Sequence, residues 1–299
     1  MKQQIKSSLI LLLTATIWGV AFVAQSVGME YIGPFTFNAI RCVLGGMVLI
    51  PVILVLKKKK ETGAENQEKG DKKTLWMGGI ACGVILCIAS NLQQFGIMEA
   101  SVGKSGFFTA LYIVMIPVIG IFIGKRPGIK LWFCVALAVV GMYLLCMKDG
   151  SFTIERADIM LLLCALAFSF HILVVDYFSP KVDGVKMSCI QFFVCGVLSA
   201  VGMLFTETPD ISNIQAAWLP LLYAGLLSCG VGYTLQIVGQ KGINPVIASL
   251  IMSLESVISA LAGWVILGQV LSPKEILGCV LMFVAIIITQ IPIGNKKTD

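Results

Sequence analysis

The sequence predicts an all-α membrane protein, with ten transmembrane helices arranged as two inverted five-helix repeats. Three observations carry this. The 299 residues are 58% hydrophobic and only 13% charged, with a mean hydropathy of +0.93, more apolar than a soluble domain sustains. Apolar runs of roughly 18 to 24 residues recur, each long enough to cross a hydrocarbon core of about 30 Å. The two halves of the chain also match each other, weakly but in unbroken order.

The runs centre near residues 17, 45, 86, 113, 139, 168, 196, 228, 256 and 282. The first follows Lys2 and Lys6, but it is too long for a signal-peptide core and has no small-residue cleavage site, so it reads as an uncleaved helix. Pro34, Pro245 and Pro273 open spans 2, 9 and 10, where a missing N–H costs nothing, and Pro117 is expected to bend span 4. The runs lack the polar and apolar alternation of a β-barrel, and the short linkers leave no room for a soluble catalytic domain. The one hydrophilic stretch, "KKKKETGAENQEKGDKK" (57–73), reads as a disordered lysine-rich loop.

Orientation follows from the basic residues. With both termini cytoplasmic, seventeen of the 22 lysines and arginines fall on the cytoplasmic side, and only Lys148, Arg156 and Lys274 on the other. The net charge of +6 is therefore a topology signal; a nucleic-acid partner would need a basic face on a soluble module. The expected location is the cytoplasmic membrane, with the lipid bilayer as partner. The ten cysteines lie inside spans without a CxxC pair, as packing residues. No metal or cofactor is expected.

At an offset of 150, "LLLTATIWGVAF" from Leu11 lies over "LLLCALAFSFHI" from Leu161, and Arg41 falls on Gln191. At 143 to 144, Gln93 falls on Gln236, and at 144 Tyr112 falls on Ser256. Five spans per half is an odd number, so the second half (148–299) enters the membrane inverted relative to the first (1–147). Such repeats place a solute site near the midplane, where the halves meet.

Span 1 carries "TIWGVAF", span 2 an arginine, span 4 "SVGKSGFFTALYIVMIPVIGIFIG" and span 9 "ASLIMSLESVISALAGWVILGQVLS". In this order and spacing the chain resembles the EamA branch of the drug/metabolite transporter superfamily. The resemblance implies a ten-helix inverted-repeat carrier whose central cavity is lined by spans 1, 3, 4, 6, 8 and 9, with spans 2 and 7 contributing and spans 5 and 10 peripheral. Family members commonly carry Glu-Pro where this chain has Glu255-Ser256, and an acid where Gln269 stands. The serine at 256 is expected to remove a kink.

Polar groups are costly against lipid, so those inside spans mark the bundle interior. Trp18, Asn38, Arg41, Asn91, Gln93, Gln94, Lys104, Tyr112, Tyr233, Gln236 and Glu255 are the candidate solute-binding residues. Amides can equally serve as interhelical bonds. Glu255 stands alone in an apolar stretch, so it is expected either to be protonated part of the time or to pair with Arg41, Lys104 or a solute amine. Glu255 is the leading coupling residue; His171, the single histidine, is the other candidate. Phe107, Phe108 and Trp264 are further aromatic candidates for the pocket wall.

There is no GxxxxGK[ST] to bind nucleotide, and no nucleophile with a base or HExxH for catalysis. The chain is therefore read as a secondary transporter, not an enzyme. A small polar metabolite is the expected partner, an amino-acid-like zwitterion being favoured and export preferred to import. A multidrug or nucleoside exporter, or a membrane receptor, are the alternatives. The sequence assigns no oligomeric state.

Overall fold

The structure is a computed structural model that describes residues 2–62, 71–100, 102–124, 127–146, 155–267 and 272–291. Among the described residues there are helices and no strands. Eight are long and apolar enough to cross a membrane. They are α1 (Lys2–Gly28), α2 (Pro34–Thr62), α3 (Lys72–Glu99), the broken pair α4 (Val102–Ala110) and α5 (Tyr112–Phe122), α7 (Arg156–Phe178), α8 (Gly184–Thr206), a composite span, and the broken pair α12 (Pro245–Met252) and α13 (Glu255–Leu267). The composite span joins α10 (Trp218–Leu222), a π-helical stretch (Tyr223–Tyr233) and α11 (Thr234–Gln240), and is preceded by the short α9 (Ile211–Ala216). Two further apolar helices, α6 (Ile129–Cys146) and α14 (Pro273–Gln290), are packed on each other.

The helix starts have local causes. Pro34, Pro245 and Pro273 open α2, α12 and α14. Asp183 caps α8 by accepting from Val185 N–H and Lys186 N–H, and Asn244 caps α12 by accepting from Val246 N–H. Ser272 and Glu275 form a reciprocal cap on α14. The lysine-rich stretch is partly helical: Lys57 to Thr62 continue α2, and Lys72 opens α3. Residues 63–70, Gln269 and the expected boundary between 147 and 148 lie outside the described residues.

Both broken spans are interrupted away from proline. Span 4 breaks at Leu111, six residues before Pro117. Span 9 breaks at Ser253–Leu254 with no proline nearby. There the hydroxyls of Ser249 and Ser253 donate to the carbonyls of Val246 and Leu250, and Leu254 N–H and Ser256 N–H bond only three residues back. Serine back-bonding of this kind bends helices, so the expected loss of the kink does not occur.

The packing repeats itself. The structure pairs α2 with α8, α3 with α7, α6 with α14, α2 with the π stretch and α3 with α8; α1 packs on α11, α12 and α13, and α7 on α4 and α5. Exchanging α1 for α7, α2 for α8, α3 for the composite span, α4–α5 for α12–α13 and α6 for α14 turns each of these contacts into another of them. α4 and α12 start 143 residues apart, as do α5 and α13, so Glu255 corresponds to Tyr112 and the 144 offset is off by one.

Candidate functional site

A cavity lies where these pairs meet. Its walls carry Trp18, Ala21, Phe22 and Gln25 of α1, Arg41 of α2 and Gln93 of α3. Thr109 and Tyr112 come from the first broken span, Phe168 and Ile172 from α7, Ser228 and Tyr233 from the π stretch, Gln236 from α11 and Glu255 from α13. It leaves about 30 Å³ for water-sized molecules, room for a water or two but not for a metabolite.

Arg41 is 2% exposed, and its Nη1 donates to Gln25 Oε1 at 2.7 Å. Its Nε has no partner, and its guanidinium lies 5.6 Å from the Phe37 ring centre. Glu255, 4% exposed, accepts from the Tyr112 hydroxyl at 3.0 Å. The two charges face one cavity without forming an ion pair. Gln236 donates weakly to Gln240 Oε1 at 3.4 Å, while its own Oε1 and the Thr109 hydroxyl are buried and unpartnered. Buried polar groups are normally satisfied, so these atoms mark places where a ligand or water completes the set.

Aromatic rings close one wall. Trp18 and Tyr233 meet at 4.6 Å between ring centres, and Trp18 Nε1 donates to Ser228 O at 3.4 Å. Phe192 and His171 both back Tyr233 edge-on, at 5.6 and 6.0 Å between ring centres. The wider π-helical turn that carries Ser228 and Tyr233 is a geometry frequent at functional sites.

Other candidates lie elsewhere. Asn38 donates to Asn91 Oδ1 at 2.9 Å, and Asn91 donates to Ser199 Oγ at 3.0 Å and Cys87 O at 2.8 Å, a knot that ties α2, α3 and α8 outside the cavity. Gln94 contacts Met29 Sδ at 3.3 Å. Lys104 is bound to Glu155 at 2.9 Å and Asp158 at 3.0 Å at the start of α7, rather than to Glu255, and it does not line the cavity. His171 Nε2 donates to Gln191 Oε1 at 3.1 Å, and its Nδ1 has no partner. Phe107 and Phe108 pack in the core, while Trp264 is half exposed on the outer surface of the bundle.

On the side where α1 ends, α4 packs closely on α13. Ser256 Oγ donates to Gly106 O at 3.0 Å, and Ser259 Oγ lies 3.2 Å from where a Cβ on Gly106 would stand. Glu207 at the end of α8 accepts from Phe35 N–H, Thr36 N–H and the Thr36 hydroxyl, at 2.8, 2.8 and 2.6 Å, and so caps α2. On the opposite side a void of about 240 Å³ lies among Ile116, Pro117, Gly120, Leu173, Asn244 and Pro245.

The family model of the EamA-like transporter family matches residues 5–147 and 155–291. The chain belongs to this family. An uncharacterized transporter of Archaeoglobus fulgidus is 27% identical over 282 residues, covering 94% of this chain and 84% of that one. The uncharacterized transporter YwfM of Bacillus subtilis is 24% identical, covering 97% and 96%. A crystal structure shares the fold with a TM-score of 0.76 at 18% identity, covering 95% of this chain and 96% of the other. This EamA-family chain is thus a multi-pass membrane protein of a transporter family. Of its cavity residues, Phe22, Phe168, Ile172 and Ser228 carried no signal in the sequence, being apolar or small positions in apolar helices.

Proposed function

We propose that this protein is a secondary transporter that moves a small zwitterion, an amino acid or a compound of like charge pattern, out across the cytoplasmic membrane. Ten spans in two inverted five-helix halves, 1–147 and 148–299, rock about the central cavity and open it to one side at a time. The observation that carries the reading is that Arg41 and Glu255 face one cavity and are not paired with each other.

Arginine has five N–H donors and no acceptor. With Nη1 held by Gln25, the guanidinium is oriented and its Nε is left for an anionic group. Glu255, with the acceptor Oε1 of Gln236 on the same wall, suits an ammonium. An unpaired buried carboxylate is costly, and a solute amine or a proton relieves it. That makes Glu255 the proposed coupling group. His171, bonded to Gln191 behind Tyr233, acts through the ring it supports.

The sealed side carries the Gly106 and Glu207 contacts and is the external face; the void opens toward the cytoplasm. The present cavity is too small for the solute, so loading requires the halves to separate on the side of the void.

The test is uptake of a radiolabelled amino-acid mixture into vesicles reconstituted with the wild type and with Glu255→Gln. Flux in the wild type, lost or uncoupled in a folded, monodisperse variant, is the expected result. Equal, equally pH-dependent flux in both removes Glu255 from the mechanism.

A further inference from the structure

One contact in the bundle is made twice. Val43 of α2 packs where Gly196 of α8 has no side chain, and Phe193 of α8 packs where Gly46 of α2 has none; a Cβ on either glycine would come within 3.0 Å of its neighbour. At the 150-residue offset that relates α2 to α8, Val43 corresponds to Phe193 and Gly46 to Gly196, so each contact is the image of the other. Beside them Cys42 Sγ lies 3.4 Å from Cys195 Sγ, with both residues buried.

The gate contacts have no such property. Gly106 with Ser256 and Ser259 maps, at 143, onto Ser249 with Ile113 and Ile116, residues of different size and chemistry, and Ile116 lines the void. Two contacts that are each other's images are unchanged as a pair when the halves exchange arrangements. A contact that differs from its image is made on one side as it is broken on the other.

We propose that the α2–α8 crossing is the fixed fulcrum of the rocking motion, and that the Cys42–Cys195 thiols on it can be joined without stopping that motion. This rests on the rocking reading given above. Joining them releases two protons and two electrons as the S–S bond forms, and an azodicarboxamide oxidant such as diamide takes up both and becomes the hydrazine.

The experiment oxidises the full-length protein in vesicles with diamide and identifies the cross-linked peptides by mass spectrometry. Two readouts follow: flux of the radiolabelled amino-acid mixture in the protein that keeps Thr109, and, in a separate preparation used for labelling alone, modification of Thr109→Cys in the cavity by a membrane-impermeant methanethiosulfonate added from either side. The comparison is Gly106→Cys with Ser259→Cys in a Cys42→Ser, Cys195→Ser background, which locks the gate. The expected result is a Cys42–Cys195 disulfide with flux retained and Thr109→Cys modified from both sides, whereas the gate cross-link abolishes flux and confines modification to one side. Failure of the disulfide to form overturns the proposal. So does its formation with modification confined to one side and restored by reductant. Two-sided modification without amino-acid flux upholds the fulcrum and instead overturns the assigned solute.

Discussion

Tyr112 and Glu255 each occupy the first position after a break in a membrane span, 143 residues apart, and are hydrogen-bonded to each other at 3.0 Å across the cavity. Each broken span thus directs a polar side chain to the same point. The acid that stands alone in the sequence has a phenol for its partner, and Arg41 faces it from the opposite half.

Removing the phenol tests that partnership. Tyr112→Phe leaves Glu255 without its one hydrogen bond, and bonds to charged groups are worth about 1.5–3 kcal/mol. Transport is expected to fall by about tenfold or more, each 1.4 kcal/mol being a factor of ten. Initial rates in reconstituted vesicles check this, and an unchanged rate and pH profile would remove Tyr112 from the site.

Gln25 orients Arg41. Gln25→Leu strands a buried guanidinium, and an unsatisfied charged group costs about 1–3 kcal/mol or more. Solute affinity is expected to weaken about tenfold or more, with Arg41→Ala weaker still and Arg41→Lys failing to restore it. Titration calorimetry on the purified variants measures this; wild-type affinity in Gln25→Leu would contradict it.

The Asn38–Asn91 knot separates interhelical bonding from solute binding. Asn38→Leu is expected to cost about 0.6–2 kcal/mol of stability while leaving solute affinity unchanged, read as a lower thermal midpoint with the same dissociation constant. A changed constant at an unchanged midpoint would place Asn38 in the site after all.

The Gly106 seal should respond to size. Gly106→Val places methyl groups against Ser256 and Ser259, and overpacking of tight contacts typically costs about 1–3 kcal/mol. The arrangement closed on that side is expected to lose population, seen as faster modification of Thr109→Cys from that side. A rate equal to the parent's would show that the serines and Gly106 do not form the seal.

Much of the cavity lining was legible because membrane helices carry polar groups only for a reason. Arg41, Gln93, Tyr112, Gln236 and Glu255 stood out among apolar neighbours, and all five line the cavity. Asn38 and Lys104 stood out equally and do not line it, because their partners Asn91, Glu155 and Asp158 come from other helices and nothing local announces them. The grip of Gln25 on Arg41 depends on how α1 and α2 pack. The break before Glu255 escaped for a different reason: proline signals a kink in sequence, whereas serine hydroxyls bonding back to Val246 and Leu250 do not. The one-residue slip in the repeat alignment followed from that, since it is the breaks that set Tyr112 opposite Glu255.

The most direct measurement compares three sets of compounds against the purified protein by thermal shift: amino acids, the matching decarboxylated amines, and the matching N-acetylated acids. Ligands that bind the folded state raise its midpoint. The predicted result is a rise with amino acids alone, lost in both Arg41→Ala and Glu255→Gln. An equal rise with the amines or the N-acetylated acids would contradict a single cavity in which Arg41 and Glu255 hold opposite ends of one solute.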